Sequence, residues 1–222
     1  MPSRVIAIGD IHGCSIALSA LIAAINPQRD DTVVTLGDYV DRGADSKGVL
    51  DQLMDLSKRC HLIPILGNHD EMMLHSRLNH TDLENWMSVG GDASLESYGP
   101  NSTLEQIPLK HFQFLEQCVS YFQTDTHFFV HANYDPHLPL DQIDDDTIRW
   151  LSLRDYIPGP HDSGKIAVVG HTPQPEVLDL GHLICIDTNC WDGGWLTALD
   201  VVSGRTWQVD IKGNCRRSTF AK

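Results

Sequence analysis

The chain has 222 residues, with sixteen Lys and Arg against thirty Asp and Glu, for a formal net charge of −14. That balance argues against a sequence-independent nucleic-acid binder, whose affinity comes from basic side chains neutralising phosphates. With 41% hydrophobic and 21% charged residues the chain can bury a core, and its length predicts a single domain, 1–222.

The six cysteines are scattered with no CxxC pair, which reads as reduced thiols rather than a disulfide framework. Met1-Pro2-Ser3-Arg4 runs straight into a short strand without a cleavable signal pattern, and the longest largely apolar stretch, 16–25, is too short to cross a bilayer. The expectation is a cytoplasmic monomer with no membrane or nucleic-acid partner.

Taken in chain order, short apolar runs end abruptly in Gly, Asp, His or Asn. Val5-Ile6-Ala7-Ile8 ends in Gly9-Asp10-Ile11-His12-Gly13, and a helical pattern over 15–25 follows. Residues 33–36 end in Gly37-Asp38, before a helical pattern over 46–58. The third run, 62–66, ends in Gly67-Asn68-His69-Asp70. Runs of this kind suit strands covered on both faces, and their alternation with helices predicts parallel pairing in an α/β fold.

From 71 to about 123 helical segments dominate (71–78, 82–88, 109–117), broken at Gly90-Gly91 and Gly99-Pro100. This predicts a small helical insertion over the site, with Gly90-Gly91-Asp92-Ala93-Ser94 as a helix break followed by an N-cap. Phe128-Phe129-Val130 then ends in His131-Ala132, and Ile166-Ala167-Val168-Val169 in Gly170-His171. Between them the acidic run 141–146 reads as a solvated loop. The tail alternates in short strands over 183–186, 195–199 and 205–209, so two stacked sheets flanked by helices are expected. Trp191-Asp192-Gly193-Gly194-Trp195 reads as a hairpin turn or as a lining of the substrate groove.

In a parallel α/β sheet ligands bind beyond the carboxyl ends of the strands, so these polar clusters should converge. Asp10, His12, Asp38, Asn68, His131 and His171 are all oxygen or imidazole donors at strand exits. A lone histidine at such a position is usually structural; five strand exits with donors at each are not. The set lacks thiolate and suits Mn, Fe or Zn. Two such ions roughly 3.5–4 Å apart can activate a shared water and grip both oxygens of an in-line displacement.

Gly9-Asp10-Ile11-His12-Gly13, then Gly37-Asp38-Tyr39-Val40-Asp41-Arg42-Gly43, then Gly67-Asn68-His69-Asp70, with His131-Ala132 and Gly170-His171-Thr172 in the same order, resembles the signature of the phosphoprotein phosphatases within the calcineurin-like metallophosphoesterases. Asp70 and Ala132 resemble the bacterial and phage branch rather than the eukaryotic one. The resemblance implies a β-sandwich of two mixed sheets flanked by helices, around a site for two divalent ions, manganese foremost. It implies Asp10, His12 and Asp38 on one ion and Asp38, Asn68, His131 and His171 on the other, Asp38 bridging. It further implies His69 as general acid oriented by Asp41, with attack by a hydroxide shared between the metals and no phosphoenzyme. Asn68 and Arg42 would also bind substrate. A second phosphate-binding arginine is expected between the two later histidine motifs; Arg149 and Arg154 compete, and Arg154 is favoured by its context. The activity implied is dephosphorylation of serine and threonine in a phosphoprotein or phosphopeptide. The alternatives are a symmetrical dinucleoside tetraphosphate hydrolase, against which Asp41 argues, and a non-catalytic scaffold, against which the intact donor set argues.

Overall fold

The computed structural model describes residues 3–219. Along it run β1 (Val5–Ile8), α1 (Ser15–Ile25), β2 (Thr32–Thr35), α2 (Ser46–Leu56), β3 (His61–Pro64), α3 (Asn68–His75), α4 (His80–Trp86), α5 (Asp92–Glu96) and α6 (Leu109–Glu116). Then come β4 (Tyr121–Gln123), β5 (His127–Val130), α7 (Asp145–Arg149), β6 (Ile166–Val169), β7 (Leu178–Asp179), β8 (Leu183–Cys185) and β9 (Asp187–Thr188). The described chain closes with β10 (Trp195–Asp200), β11 (Arg205–Val209) and β12 (Cys215–Thr219).

The strands make two mixed sheets. A seven-stranded sheet is ordered β12-β11-β10-β1-β2-β3, with β9 also paired to β10, and a five-stranded sheet is ordered β4-β5-β6-β8-β7. Pairing is parallel in β1-β2-β3 and β5-β6-β8, and antiparallel where β1 meets β10 and along the last hairpins. Successive strand side chains point to opposite faces, so a continuous apolar run serves two cores at once. Ala7, Val34, Phe129, Val168 and Leu199 pack between the sheets. Their neighbours Ile6, Ile8 and Val33 pack under α1 and α2, and Phe128, Val130, Ala167 and Val169 under the outer cover of the second sheet. Truncating Phe129 to alanine would cost about 3–5 kcal/mol, the usual result of emptying an aromatic core position.

The helices obey the same sequence logic. α1 buries Ala17, Leu18, Leu21, Ile22 and Ile25, and stops where Asn26 turns left-handed at φ 45°. α2 starts at Asp45, whose carboxylate accepts the Gly48 N–H at 2.8 Å.

Several expectations need correction. The helical stretch starts at Asn68 rather than 71, and residues 121–123 form β4 beside β5, because Tyr121 faces one core and Phe122 the other. Gly90 does break the helix, with φ 117°, but Asp92 is not its cap. Gly91 is already helical, and the Asp92 carboxylate accepts only the adjacent Ala93 N–H. The acidic run is not a loop throughout. Asp144 caps α7 by accepting the Thr147 N–H at 2.7 Å, and Asp145 and Asp146 fill its first turn, where negative charge is favoured. The strand β12 was not foreseen. All six cysteines are free, and among the described residues no helix is long and apolar enough to cross a membrane.

Candidate metal centre

The exits of β1, β2, β3, β5 and β6 meet at one edge of the sandwich. The N–H groups of Ile11 and His12 both donate to the Asp38 carbonyl, at 3.1 and 2.8 Å, tying the first two exit loops together. The Asp38 carboxylate accepts the His69 N–H at 3.0 Å, and Asp10 accepts the His171 N–H from across the sandwich at 3.0 Å. The turns are tight enough that donors themselves adopt left-handed backbone. His12, Asp38, Asp41, Arg42 and His171 have φ of 42°, 51°, 73°, 68° and 62°, a conformation side chains adopt at a cost of order 1–3 kcal/mol each. Glycines flank them for a different reason. A Cβ on Gly67 would fall 2.2 Å from the Asp38 nitrogen, and one on Gly170 would fall 2.1 Å from the Asp10 carboxylate.

Each of the three candidate histidine ligands gives its outer N–H to a backbone carbonyl. His12 Nδ1 bonds the Val40 oxygen at 2.9 Å, His131 Nδ1 the Leu36 oxygen at 2.7 Å and His171 Nε2 the Trp150 oxygen at 3.1 Å. The remaining ring nitrogens therefore turn bare lone pairs inward, the arrangement that metal-binding imidazoles use. His131 Nε2 and His171 Nδ1 stand 3.2 Å apart, each 3.0 Å from Asn68 Oδ1. Asp38 lies between the groups, 3.3 Å from His12 Nε2 through one oxygen and 3.5 Å from His131 Nε2 through the other.

Protonation does not relieve this crowding of acceptors. Burial lowers His131 and pushes His12 down to about 3 and His171 to about 4, so all three imidazoles are neutral at neutral pH. Burial raises Asp38, but the four surrounding imidazoles, which take up protons in the acid range where this carboxyl titrates, outweigh it and hold the carboxyl below its usual range. Asp10 is raised by burial and by the neighbouring carboxylates of Asp187 and Asp38. Asp187, also buried, is pushed up to about 6. A buried set of lone pairs and crowded carboxylates is completed by cations, and its nitrogen and oxygen donors fit divalent ions of the Mn, Fe or Zn type. Asp38, His131 and His171 form one compact candidate group and His12, Asp38 and His69 another. Asp10 adjoins both through His171 and Asp38.

His69 differs from the other imidazoles. Its Nδ1–H donates to Asp41 at 2.8 Å, and burial, which lowers its pKa, is outweighed by the Asp38 and Asp41 carboxylates, which raise it. Asp41 is fully buried yet well satisfied: it accepts the Trp86 indole N–H at 2.9 Å and the Ser94 hydroxyl at 2.7 Å. Its own N–H donates to the Ser94 oxygen at 2.8 Å and the Ser46 oxygen at 3.1 Å. Trp86 and Ser94 belong to the helical stretch, and sequence reasoning assigned them no part in the site. The Gly90-Gly91 break that was noticed is what lets this stretch approach: a Cβ on Gly90 would sit 2.8 Å from the Arg42 nitrogen.

Arg42 is exposed, and its two Nη groups donate to His12 Nε2 at 3.1 Å and His69 Nε2 at 2.8 Å. Its guanidinium lies 5.3 Å from the ring centre of Trp191. The 191–195 segment is a hairpin turn, as one reading had it, and Trp191 also borders the centre. The two rival arginines part company. Arg149 is 4% exposed, with its Nη groups engaged by Glu71 and Asp145, and its charge reaches only the buried side of the centre, where it lowers the His131 pKa. Arg154 is exposed, and its positive charge lowers the pKa of Asp187 beside the donor cluster.

Comparison with known proteins agrees with this geometry. The family model for the calcineurin-like phosphoesterases matches residues 3–202. Serine/threonine-protein phosphatase 1 of Salmonella typhimurium is 28% identical over 199 residues, covering 86% of this chain and 88% of that protein. The symmetrical bis(5'-nucleosyl)-tetraphosphatase of Pectobacterium carotovorum is 42% identical over 69 residues, which are 30% of this chain and 24% of that one. Among solved structures, a protein provisionally named a diadenosine tetraphosphatase superposes with a TM-score of 0.71 at 24% identity, over 98% of this chain and 93% of that one. A cold-active protein-tyrosine phosphatase of a Shewanella species superposes with a TM-score of 0.64 at 17% identity, over 97% and 80%. Two mixed sheets, donors at five strand exits and a family match over nearly the whole chain lead to one assignment: this protein belongs to the calcineurin-like phosphoesterases.

Proposed function

We propose that the chain dephosphorylates phosphoserine and phosphothreonine in proteins, with manganese as the foremost of its divalent ions. The observation that carries this reading is the buried His69–Asp41 pair. An alkoxide leaves poorly unless it is protonated as its bond to phosphorus breaks, whereas a nucleotide phosphate needs less help. Two carboxylates outweigh burial and raise the His69 pKa, so its Nε2, which accepts an Arg42 N–H here, can carry the acid proton once Arg42 turns to the phosphate. Asp10, His12, Asp38, Asn68, His131 and His171 would hold two ions, which when bound activate water and draw charge from the phosphoryl oxygens. Arg42 would transfer its paired N–H groups from the two imidazoles to two phosphate oxygens, with Arg154 as a second arm.

The match to the Salmonella protein phosphatase along most of both chains supports this reading. Hydrolysis of a symmetrical dinucleoside tetraphosphate is the second reading, favoured by the higher but local identity to the tetraphosphatases. The test is kcat/KM with Mn2+ on a phosphoserine peptide and on diadenosine tetraphosphate. The peptide is expected to win; a strong preference for the dinucleotide would overturn the proposal.

A further inference from the structure

We infer that Glu71, Arg149 and Trp150 form a positioning brace that fixes one ligand, His171, and thereby sets the affinity of one metal position and not the other. The inference rests on the two-ion reading above. It starts from the carbonyl partners of the three imidazoles. Leu36 and Val40 flank Asp38 in the exit loop of β2, where the Leu36 N–H bonds the Ile8 oxygen of β1 and the Asp38 oxygen takes the Ile11 and His12 N–H groups. The Trp150 oxygen lies outside either sheet, on a segment held locally by the Trp150 N–H on the Asp146 oxygen and the Leu153 N–H on the Thr172 hydroxyl. It follows α7, a helix of only five residues, and lies on a long connection between β5 and β6.

Glu71 ties this segment to α3 as well. One carboxylate oxygen takes Arg149 Nη1, and the other accepts the Trp150 indole N–H at 2.9 Å. The second Arg149 amino group donates to Asp145 at 2.8 Å and to the Ser120 hydroxyl at 3.3 Å. The same segment reaches the other histidine motif, because the Ile148 oxygen accepts the Ala132 N–H at 2.9 Å. Glu71 lies in α3, the helix that opens with Asn68 and His69. One helix therefore presents Asn68 Oδ1 to His171 and also anchors the carbonyl that orients the His171 ring.

The consequence is a tautomer fixed from outside the ligand set. While the Trp150 oxygen holds Nε2–H, Nδ1 stays bare and 3.0 Å from Asn68 Oδ1. If the carbonyl drifts, the ring can rotate or carry its proton on the inward nitrogen, and one ligand is lost. Removal of such an outer partner usually lowers metal affinity about 10–100-fold.

Calorimetric titration of Mn2+ into the metal-free chain tests this. Wild type should bind two ions; fewer would end the two-ion reading itself, whatever the brace does. Glu71→Gln turns an amide N–H₂ toward one of two donors, and should weaken one of the two ions about 10–100-fold while leaving the other unchanged. Trp150→Phe removes only the indole bond and keeps the Glu71–Arg149 pair, so it carries the test if Glu71→Gln does not fold. Asp145→Asn, on the exposed side of Arg149, should leave both affinities as in wild type. Selective weakening of one ion in a folded variant is the predicted result. Unchanged affinities, or equal weakening of both, would overturn the brace.

Discussion

Two buried polar networks stand behind the candidate metal centre, and they are built with opposite sign. Behind His69 sits an anion, Asp41, wrapped in neutral donors from Trp86 and Ser94 and bonded to the His69 ring itself. Behind His171 sits a cation, Arg149, wrapped in the carboxylates of Glu71 and Asp145. The difference teaches what each network can lend to chemistry. Neutral donors steady Asp41 without cancelling its charge, so that charge still acts on His69. Two carboxylates and the Ser120 hydroxyl occupy the Nη groups of Arg149, so it supports geometry and offers no free Nη donor to a phosphate, though its charge still lowers the His131 pKa.

The largest effect is expected where the networks meet. Asp38→Asn removes the negative charge of the proposed shared ligand and should lower phosphatase turnover by ~10³-fold or more, with loss of bound metal by elemental analysis. His69→Asn probes the anionic side alone. Turnover of alkyl phosphoesters should fall about 10²–10⁴-fold, with metal content retained. Collapse of metal content in that variant would make His69 a ligand instead of an acid.

Asp41→Asn should sharpen the comparison further, through the pH profile. His69 has its pKa raised by the Asp38 and Asp41 carboxylates. A raised imidazole pKa contributes stability fully present below the unfolded value, near 6.5, and lost as pH rises through the folded value. Neutralising Asp41 removes part of that support. The alkaline limb of the rate profile should move to lower pH, as should the alkaline loss of thermal stability. An unmoved limb would detach Asp41 from the proton donor. Ser94→Ala should give the same direction with a smaller loss, since the Trp86 bonds remain; removal of one hydrogen bond to a charged group costs about 1.5–3 kcal/mol.

On the cationic side, Asp145→Asn should change stability by less than about 1 kcal/mol, because the carboxylate is largely exposed and its ion pair is screened. Thermal unfolding of that variant beside Ser94→Ala checks the ordering of the two networks.

The uneven legibility of the sequence follows from the same comparison. Asp10, His12, Asp38, Asn68, His131 and His171 stood out because each lies within a few residues past the end of a short apolar strand, and parallel strands deliver their exits to one edge. Both sheets, their helical cover and the strands that carry donors were foreseen for that reason. Nothing local marks Trp86 or Ser94, which bond Asp41 across 45 and 53 residues, or Glu71, which meets Trp150 across 79. A tryptophan at helical spacing reads as core, and Trp86 is indeed core; only the position of its indole N–H makes it part of the site. The acidic run 141–146 misled for a related reason, because charge composition says loop while Asp144 and the N-terminal turn of α7 use that charge for capping. Arg149 and Arg154 could not be separated from sequence, since burial against Glu71 depends on where α3 lies.

The most direct test of the proposed two-ion site is anomalous diffraction at the manganese edge from crystals grown with Mn2+. Two peaks roughly 3.5–4 Å apart are expected, one beside Asp10, His12 and Asp38 and one among Asp38, Asn68, His131 and His171. A single peak, or peaks that do not share Asp38, would contradict it.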